Sequence, residues 1–332
     1  MKSRLLAVLL IILLIIPVFS GCGQKQLTKV RLNEVVRSVF YAPQYVALSL
    51  GFFKQEGLDI ELSTGQGSDK TMTAILSNNA DIGLLGPETT VYVYTQGKDD
   101  YAVNFAQLTK RDGSFLVGRK DEPNFKWENL KGKIIIGGRP GGMPEMTLEH
   151  ILKSHGLIPG KDVNIITNIQ FTATAGAFKS GTGDYVALFE PTATILEKEG
   201  SGKIVASIGL ASGEIPYTVY SARKSFIEKN PDIIQKFTNA LYRGQLWVQN
   251  HSPEEIAQAI KPYFPDADMD VLTTVIKRYK EQDTWAKNPI FNPKDLDRMQ
   301  DIIIEAGILN QKVDSKILID NTFAEKAVKT IK

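Results

Sequence analysis

The sequence has few of the residues that catalytic and metal sites need. Its 332 residues include one cysteine, Cys22, which excludes an intramolecular disulfide, and three scattered histidines. The patterns HExxH, CxxC and GxSxG are absent. Residues 156–162 form an incomplete phosphate loop, and Gly65-Gln66-Gly67 lacks the third glycine of a dinucleotide fingerprint. We therefore expect no catalytic residue, no cofactor and no metal ion.

An excess of positive charge is also missing. The chain has 39 basic and 37 acidic residues, and two of the basic ones, Lys2 and Arg4, lie in a segment that we expect to be removed. The remaining chain is then electrically neutral, whereas a nucleic-acid-binding protein shows a basic excess. We therefore expect no nucleic acid among its partners.

The apolar run at the N-terminus is too short to span a membrane. Leu5–Ile16 is unbroken and is closed by Pro17, whereas a spanning helix needs roughly 20 apolar residues. A short apolar run after Lys2 and Arg4 is typical of an export signal. The run therefore predicts a protein that works outside the cytoplasm.

The cysteine follows this run directly. Ser20-Gly21-Cys22 resembles a bacterial lipobox, in which the cysteine is acylated and becomes the first residue, although Phe19 departs from the usual aliphatic residue. We predict a lipoprotein signal peptide over residues 1–21, a polar tether over 22–29 and a lipid anchor on the bacterial cell membrane. A plain secretory signal with an incidental cysteine is the alternative.

Apolar strands alternate with amphipathic helices over Val30–Leu108 and again over Lys133–Ser207. This alternation predicts an α/β fold with mainly parallel sheets. Helical segments without intervening strands follow, at Pro231–Asn250, Pro253–Ile260, Met269–Glu281, Pro293–Ala306 and Asp314–Asp320. Two similar lobes with a cleft between them, and a helical tail packed on the first lobe, would explain this order.

Small or glycine-rich turns recur between a predicted strand and the start of a helix. They lie at Arg37–Gln44, Gly65–Lys70, Gly86–Thr90, Gly138–Glu145, Phe171–Ala175 and Glu190–Thr194. In open α/β sheets, ligands bind at the carboxyl ends of strands, where helix N-termini present free N–H groups. Such turns around one cleft predict a small-molecule site without a catalytic group.

Several stretches resemble the extracytoplasmic solute-binding proteins of ABC importers. The most similar group handles aliphatic sulfonates, nitrate, taurine and thiamine pyrimidine precursors. Residues 45–62 (YVALSLGFFKQEGLDIEL) are similar to its opening signature, and residues 79–83, 130–133 and 189–191 resemble its later markers. The resemblance extends over about residues 30–260.

The resemblance implies a type II periplasmic-binding-protein fold, with two β/α lobes joined by a two-segment hinge and a helical C-terminal tail. Lobe I would comprise residues 30–112 and 215–332, and lobe II residues 113–214, with crossings near Lys110–Ser114 and Ser212–Tyr217. Such a protein captures a small organic solute between its lobes and delivers it to an ABC permease with its ATPase subunits. We expect a monomer.

The candidate ligand-binding residues come from the turns of both lobes. Lobe I contributes Arg37, Ser38, Phe40, Tyr41, Gln44, Gln66, Ser68, Glu88, Thr89 and Tyr217, and lobe II contributes Arg139, Met143, Phe171, Thr172 and Glu190. Carboxylates accept hydrogen bonds from amino-heterocycles, and aromatic rings stack on flat ligands. We favour a nitrogenous aromatic ligand such as a thiamine pyrimidine precursor, with an aliphatic sulfonate, taurine or nitrate as the alternative.

Glu190 carries this ligand hypothesis, because it directly follows the apolar strand Tyr185–Phe189. Other interpretations remain open: Arg139 could pair with Glu190, Phe40 could belong to the core, and Met143 could serve packing. A surface ligand sensor or a secreted enzyme on the same fold would be different functions. The candidate turns hold no histidine, whereas the family's eukaryotic synthase uses one, so we expect no enzyme.

Overall fold

The computed structural model describes residues 26–331. The predicted signal peptide and Cys22 lie outside these residues. The predicted tether lies partly outside them, and its last residues, from Thr28 on, already belong to the first strand.

The first sheet has five strands in the order β2-β1-β3-β10-β4. They are β1 (Thr28–Glu34), β2 (Leu58–Thr64), β3 (Ile82–Leu85), β4 (Ala102–Thr109) and β10 (Thr218–Arg223). Strand β1 lies parallel to β2 and β3, whereas β10 is antiparallel to β3 and β4. Strands β3, β4 and β10 are buried on both faces over nearly their whole length, as expected for a sheet covered by helices.

The second sheet also has five strands, in the order β7-β6-β8-β5-β9. They are β5 (Ser114–Gly118), β6 (Ile134–Ile136), β7 (Asn164–Ile166), β8 (Tyr185–Phe189) and β9 (Lys203–Ser207). Strand β6 is parallel to β7 and β8, and β5 is antiparallel to β8 and β9. The chain thus leaves the first sheet after Thr109 and returns to it at Thr218.

Helices connect the strands and extend the chain beyond β10. Those before β10 are α1 (Ala42–Ser49), α2 (Phe52–Gln55), α3 (Ser68–Leu76), α4 (Glu88–Thr95), α5 (Met143–Ser154), α6 (Phe171–Lys179), α7 (Thr192–Lys198) and α8 (Ile208–Ser212). Those after it are α9 (Lys224–Lys229), α10 (Pro231–Asn250), α11 (Pro253–Ile260), α12 (Met269–Glu281), α13 (Pro293–Glu305) and α14 (Thr322–Thr330). Short 3₁₀ turns lie at Val39–Tyr41, Trp127–Leu130, Lys261–Tyr263 and Ser315–Ile317.

The helical tail packs mainly on the first lobe, as expected. Helices α10 and α11 contact α1, and α14 contacts α10 and β4. The buried rings of Phe105, Tyr220 and Phe237 join strands β4 and β10 to α10. The end of the tail also reaches the second lobe, because α13 contacts α5.

Two fold predictions need correction. Mainly parallel sheets were expected, but β5 and β10, which lie inside their sheets, run antiparallel to both neighbours. Each of them is the first strand that the chain forms after it crosses from one lobe to the other. No helix therefore connects it to an earlier strand of the same sheet, and such a crossover helix is what makes neighbouring strands parallel. Asp314–Asp320 was predicted as a helix and contains only the 3₁₀ turn at Ser315–Ile317. The exact residues at which each lobe begins and ends remain a prediction.

Candidate functional site

A cavity of about 210 Å³ lies between the two lobes. The turn after β1, the starts of α3 and α4, and β10 line it from lobe I, and the segment leading into α5, the start of α6 and the end of β8 line it from lobe II. Pockets for drug-sized ligands have volumes of roughly 300–1,000 Å³, so this cavity suits a small solute.

The structure brings many of the predicted site residues together. Those that line the cavity are Tyr41, Ser68, Glu88, Thr89, Arg139, Met143, Phe171 and Tyr217. They come from several strand–helix turns of both lobes, which is the arrangement that the recurring turns indicated.

Arg37 and Gln44 do not line this cavity, because they bond to a buried carboxylate. Glu34, at the end of β1, accepts hydrogen bonds from Arg37 Nε at 2.8 Å, Gln44 Nε2 at 2.7 Å and Tyr45 Oη at 2.8 Å. Burial raises the pKa of Glu34, and the charge of Arg37 partly offsets this effect. These two predicted ligand residues therefore have structural partners.

Glu190 is also held by the protein itself. Its carboxylate accepts from the Thr194 N–H at 2.9 Å, from Thr194 Oγ1 at 2.8 Å and from Arg278 Nη1 at 2.5 Å. It lies outside the large cavity, on a smaller adjoining one of about 40 Å³. The hypothesis that Glu190 is the main ligand carboxylate therefore needs correction, because its acceptor atoms are already bonded. The proposed Arg139–Glu190 pair is wrong too, since Arg139 binds Asp69 instead.

The remaining predicted residues also lie outside the large cavity. Ser38 lines the smaller one and donates from Oγ to the Glu190 carbonyl oxygen at 2.5 Å, which joins the lobes. Phe40 is completely buried and packs on Tyr41, Phe189, Tyr217 and Tyr279, as its core interpretation expected. Thr172 is exposed on α6.

Gln66 is the last of these predicted residues. It is half-buried, and its backbone has a φ of 67°. Its side-chain oxygen has no hydrogen-bond partner among the described residues. Its backbone is in the left-handed region, within the turn before α3. It lines neither the large cavity nor the smaller one.

Glu88 differs from the other buried carboxyl groups of the cleft. It begins α4, only 1% of its surface is exposed, and its Oε2 has no hydrogen-bond partner among the described residues. Burial raises its pKa to about 8, while its own N–H and that of Met143 act in the opposite direction. The described residues provide no salt bridge to it. This carboxyl group therefore lies at the cavity wall without a cation among the described residues.

Gly86 makes the position of this carboxyl group possible. A Cβ atom at residue 86 would lie 2.0 Å from Glu88 Oε2 and 2.5 Å from Oε1. The carboxyl group therefore folds back over the turn between β3 and α4, and any side chain at residue 86 would displace it from this position.

The positive charge in the cavity wall is already paired. Arg139 Nη2 donates to Asp69 Oδ2 at 2.8 Å across the lobes, and Arg139 Nη1 donates to Gln170 Oε1 at 2.9 Å. Arg139 is the cation among the described residues that line the cavity, and its partner Asp69 lines the same cavity from the opposite lobe. An anionic ligand would have to compete with this pair.

Aromatic and aliphatic side chains form most of the remaining surface. Phe189 packs edge-on against Phe171 with ring centroids 6.1 Å apart, and lies 6.3 Å from Tyr217. Tyr92 reaches across the cleft and donates to the Gly141 carbonyl oxygen at 3.0 Å. A flat apolar ligand would find ring faces on both lobes.

Sequence reasoning missed part of the cavity wall. The missed residues are Val35, Val36, Asp69, Gly86, Tyr92, Pro140, Gly141, Gly142, Pro144, Phe189 and Thr218. Tyr92 could have been found, because it lies four residues after Glu88 and so shares its helix face. Six of the others lie inside the predicted cleft turns without having been singled out, namely Asp69, Gly86, Pro140, Gly141, Gly142 and Pro144. The rest gave no such signal, since they reach the cavity only through the packing of the lobes.

No group of three or more His, Cys, Asp or Glu residues is placed to hold a metal ion within residues 26–331. Over the same residues, no helix combines the length and the apolar character that crossing a membrane requires.

Two β/α lobes, two crossings and an interlobe cavity define the two-lobed class of solute-binding proteins with the type II periplasmic-binding fold. The family comparison is more specific. Residues 40–256 match the model of the family described as NMT1/THI5 like, so the chain belongs to this family.

Curated relatives align along most of the chain. A Bacillus subtilis protein whose name describes a binding protein, YtlA, is 50% identical over 92% of each chain. A second B. subtilis protein, named for binding aliphatic sulfonates, is 24% identical over 96% of each chain. The 4-amino-5-hydroxymethyl-2-methylpyrimidine phosphate synthase of Candida albicans is 23% identical over 72% of each chain.

Solved structures show the same fold. The ligand-binding component of an ABC-type import system from Staphylococcus aureus superimposes with a TM-score of 0.73, although it is only 14% identical. The alignment covers 90% of this chain and 99% of the other. The predicted α/β, two-lobed fold is thereby confirmed.

Proposed function

We propose that this protein is the solute-binding component of an ABC importer. The family, the fold and the cavity between two lobes support this function. A small solute enclosed between the lobes would be presented to the permease, which would then use ATP hydrolysis by its partner subunits to move it. The protein acts as a monomer in this proposal.

The ligand that we propose is a small nitrogenous aromatic, such as a thiamine pyrimidine precursor. The observation that carries this proposal is Glu88, a buried carboxyl group on the cavity wall whose Oε2 has no partner among the described residues. A buried polar group without a partner costs free energy, which a ligand N–H can recover. The aromatic rings around it suit a flat ligand.

An aliphatic sulfonate, taurine or nitrate is the alternative ligand. The name of one relative supports it, and the N-terminus of α5 at the cavity would attract an anion. Glu88 and Asp69 oppose it, because both place carboxyl groups on the cavity wall, and Arg139 already pairs with Asp69. The charge of the cavity therefore favours a ligand with hydrogen-bond donors over an anion.

A binding screen tests the ligand class. The purified chain from residue 22 onwards is titrated by calorimetry with 4-amino-5-hydroxymethyl-2-methylpyrimidine, related amino-heterocycles, taurine and short alkanesulfonates. We expect heat only with the amino-heterocycles. Binding of a sulfonate, with none by the nitrogen compounds, would replace our ligand class by the alternative.

The importer role has its own test in cells. A strain without this protein should lose uptake of the labelled ligand found by calorimetry, and the wild-type gene should restore it. Uptake that does not change in the deletion strain, together with co-purification of a receptor, would favour a surface sensor. Turnover of the ligand by the purified protein would favour an enzyme.

We further propose that Cys22 is acylated and holds the protein on the outer face of the cell membrane. The replacement Cys22→Ser should release the protein from the membrane fraction, because the thiol is the only attachment point for the lipid. Intact mass of the wild type should show a diacylglycerol on an N-terminal cysteine. A Cys22→Ser variant that stays in the membrane fraction would contradict the anchor.

A further inference from the structure

We propose that Tyr92 limits the size of the solute that the protein can enclose, because a larger solute would hold its side chain away from the opposite lobe. This inference rests on the proposed function, since it concerns a solute bound between the lobes. It does not depend on the chemical class of that solute. Tyr92 would thus be a residue that determines specificity by size, separately from the charges and hydrogen bonds of the cavity.

The side chain of Tyr92 closes one end of the cavity. It lines the cavity from α4, and its hydroxyl donates to the carbonyl oxygen of Gly141, on the opposite lobe, at 3.0 Å. Gly141 lines the same cavity. A direct hydrogen bond between the two walls leaves no space between them for a ligand atom. The cavity therefore ends at this contact, which forms only when the lobes are together.

Both partners of this contact are held in place. Tyr92 lies on a helix that packs against β4 and α13. Gly141 has a φ of 69°, and its N–H donates to Glu145 Oε2 at 2.6 Å, which fixes the turn before α5. The sulfur atom of Met146 lies 3.6 Å from the Tyr92 hydroxyl. A solute therefore meets a fixed boundary at this end of the cavity.

The Tyr92 side chain combines a bulky ring with one hydrogen-bond donor. Burial raises the pKa of its hydroxyl, and the carboxyl groups of Glu88 and Glu145 act in the same direction, so the hydroxyl keeps its proton at neutral pH. The ring blocks the end of the cavity, and the hydroxyl bonds to the other lobe. The two effects can be separated, because phenylalanine keeps the ring and loses the donor, whereas alanine loses both.

The volume of the cavity makes this boundary important. The cavity has about 210 Å³, whereas pockets for drug-sized ligands begin at roughly 300 Å³. A solute that extends past this end would overlap the Tyr92 ring if the lobes closed, and packed interiors accept extra atoms only at a cost. The ring would have to move, and its bond to Gly141 would be lost. Such a solute should bind weakly, because it opposes closure.

Pairs of small and large solutes test this limit by calorimetry. One pair is 4-amino-5-hydroxymethyl-2-methylpyrimidine with thiamine, which carries an added thiazolium ring. The other is taurine with MOPS, a longer sulfonate that carries a morpholine ring. We expect the wild type to bind the smaller member of at least one pair, and the larger member about a hundredfold more weakly. Tyr92→Ala adds the volume of a phenol ring to the cavity and should reduce this preference to about tenfold or less.

A conservative variant and a matched control complete the experiment. Tyr92→Phe should keep the preference for the smaller solute within about threefold of the wild type, and should release that solute about fivefold faster because one interlobe hydrogen bond is lost. Tyr94 lies on the same helix but outside the cavity wall, where its ring packs on Tyr101 with centroids 5.0 Å apart. Tyr94→Ala should therefore change neither the size preference nor the release rate.

The outcomes distinguish this inference from the proposed function. Equal size preferences in the wild type and Tyr92→Ala, or equal binding of both members of a pair by the wild type, would overturn the size limit while a bound solute still supports the binding function. An unchanged release rate in Tyr92→Phe would overturn the role of the interlobe hydrogen bond. No binding of either pair by any of these proteins would refute the ligand classes of the proposed function together with the size limit.

Discussion

At the residue scale, buried carboxyl groups at the cleft differ in their partners. Glu34 binds Arg37, and Glu190 binds Arg278, whereas Glu88 has no cation among the described residues. All three lie at or shortly after the end of a strand, so their positions along the chain look similar. Removing the cation from a paired, buried carboxylate is costly, whereas Glu88 has no such cation to lose, and only for Glu88 do we propose a role toward the ligand.

The buried Glu88 should make stability depend on pH. Its pKa is raised from 4.5 to about 8 on folding, so the folded chain holds a proton that the unfolded chain releases. This stabilising contribution is complete below about pH 4.5 and is lost as the pH rises through about 8. The melting temperature of the wild type should therefore fall between pH 6.5 and 8.

Glu88→Gln is the matched variant for this effect. The gap in unfolding free energy between variant and wild type should widen by up to roughly 1.4 kcal/mol per pH unit in this window. Burial raises the pKa of Asp112 to about 6, so this group titrates mostly below the window from pH 6.5 to 8. Parallel stability curves for the two proteins would show that Glu88 does not titrate there.

The pair of Glu190 and Arg278 should carry stability instead of ligand binding. Arg278→Met leaves a buried carboxylate without its cation, which should cost about 3 kcal/mol in chemical denaturation. The double variant with Glu190→Gln removes the charge as well and should recover part of this loss. If Arg278→Met alone lowers the unfolding free energy by less than about 1 kcal/mol, the pair contributes as little as ion pairs on the protein surface do.

At the scale of elements, the N-terminal ends of helices are important both at the cavity and in the C-terminal tail. Helices α3, α4, α5 and α6 all begin at the cavity, which places their N–H groups and first side chains beside the ligand. In the tail, Ser252 and Glu255 form a reciprocal capping box at the start of α11. This helix packs on α1, which follows the first cavity turn.

Loss of this cap should destabilise the fold without affecting the cavity. Ser252 Oγ accepts from the Glu255 N–H at 3.2 Å, and Glu255 Oε2 accepts from the Ser252 N–H at 2.8 Å. Ser252→Ala should lower the unfolding free energy by about 1 kcal/mol. Glu255→Gln keeps an acceptor oxygen and should cost less. A ligand affinity that changes in either variant would contradict a purely structural role.

At the scale of the whole molecule, contacts between the lobes surround the cavity. Ser38 donates to Glu190 O, Arg139 pairs with Asp69, and Tyr92 donates to Gly141 O. Near the first crossing, a Cβ at Gly113 would lie 2.3 Å from the Phe40 ring. The lobes are thus in contact on several sides of the cavity. We expect them to separate at the crossings when a ligand enters.

We expect ligand binding to favour the closed arrangement of the lobes. Small-angle scattering should show a smaller radius of gyration when the ligand is saturating, because we expect the free protein to sample an open form as well. Ser38→Ala removes an interlobe hydrogen bond outside the large cavity and should speed ligand release by about threefold. An unchanged radius together with unchanged release rates would contradict closure by hinge motion.

The sequence by itself determined the class of fold and the general location of the site. Alternating strands and helices indicated α/β lobes, and turns such as those at Gly86 and Gly138 marked the edge where the cavity lies. Local periodicity and turn composition are properties of neighbouring residues, so they can be read without the fold. Residues 45–62 also carried the family resemblance.

Tertiary structure alone decided which candidates contact the cavity. Arg278 lies 88 residues after Glu190 in the chain and neutralises it, and Glu34 binds Arg37 and Gln44. The direction of β5 and β10 likewise depended on how the chain crosses between sheets. A buried charge must find a partner wherever the fold supplies one. Arg278 is distant from Glu190 in sequence, so only the folded chain shows that Glu190 is paired with a cation while Glu88 has none among the described residues.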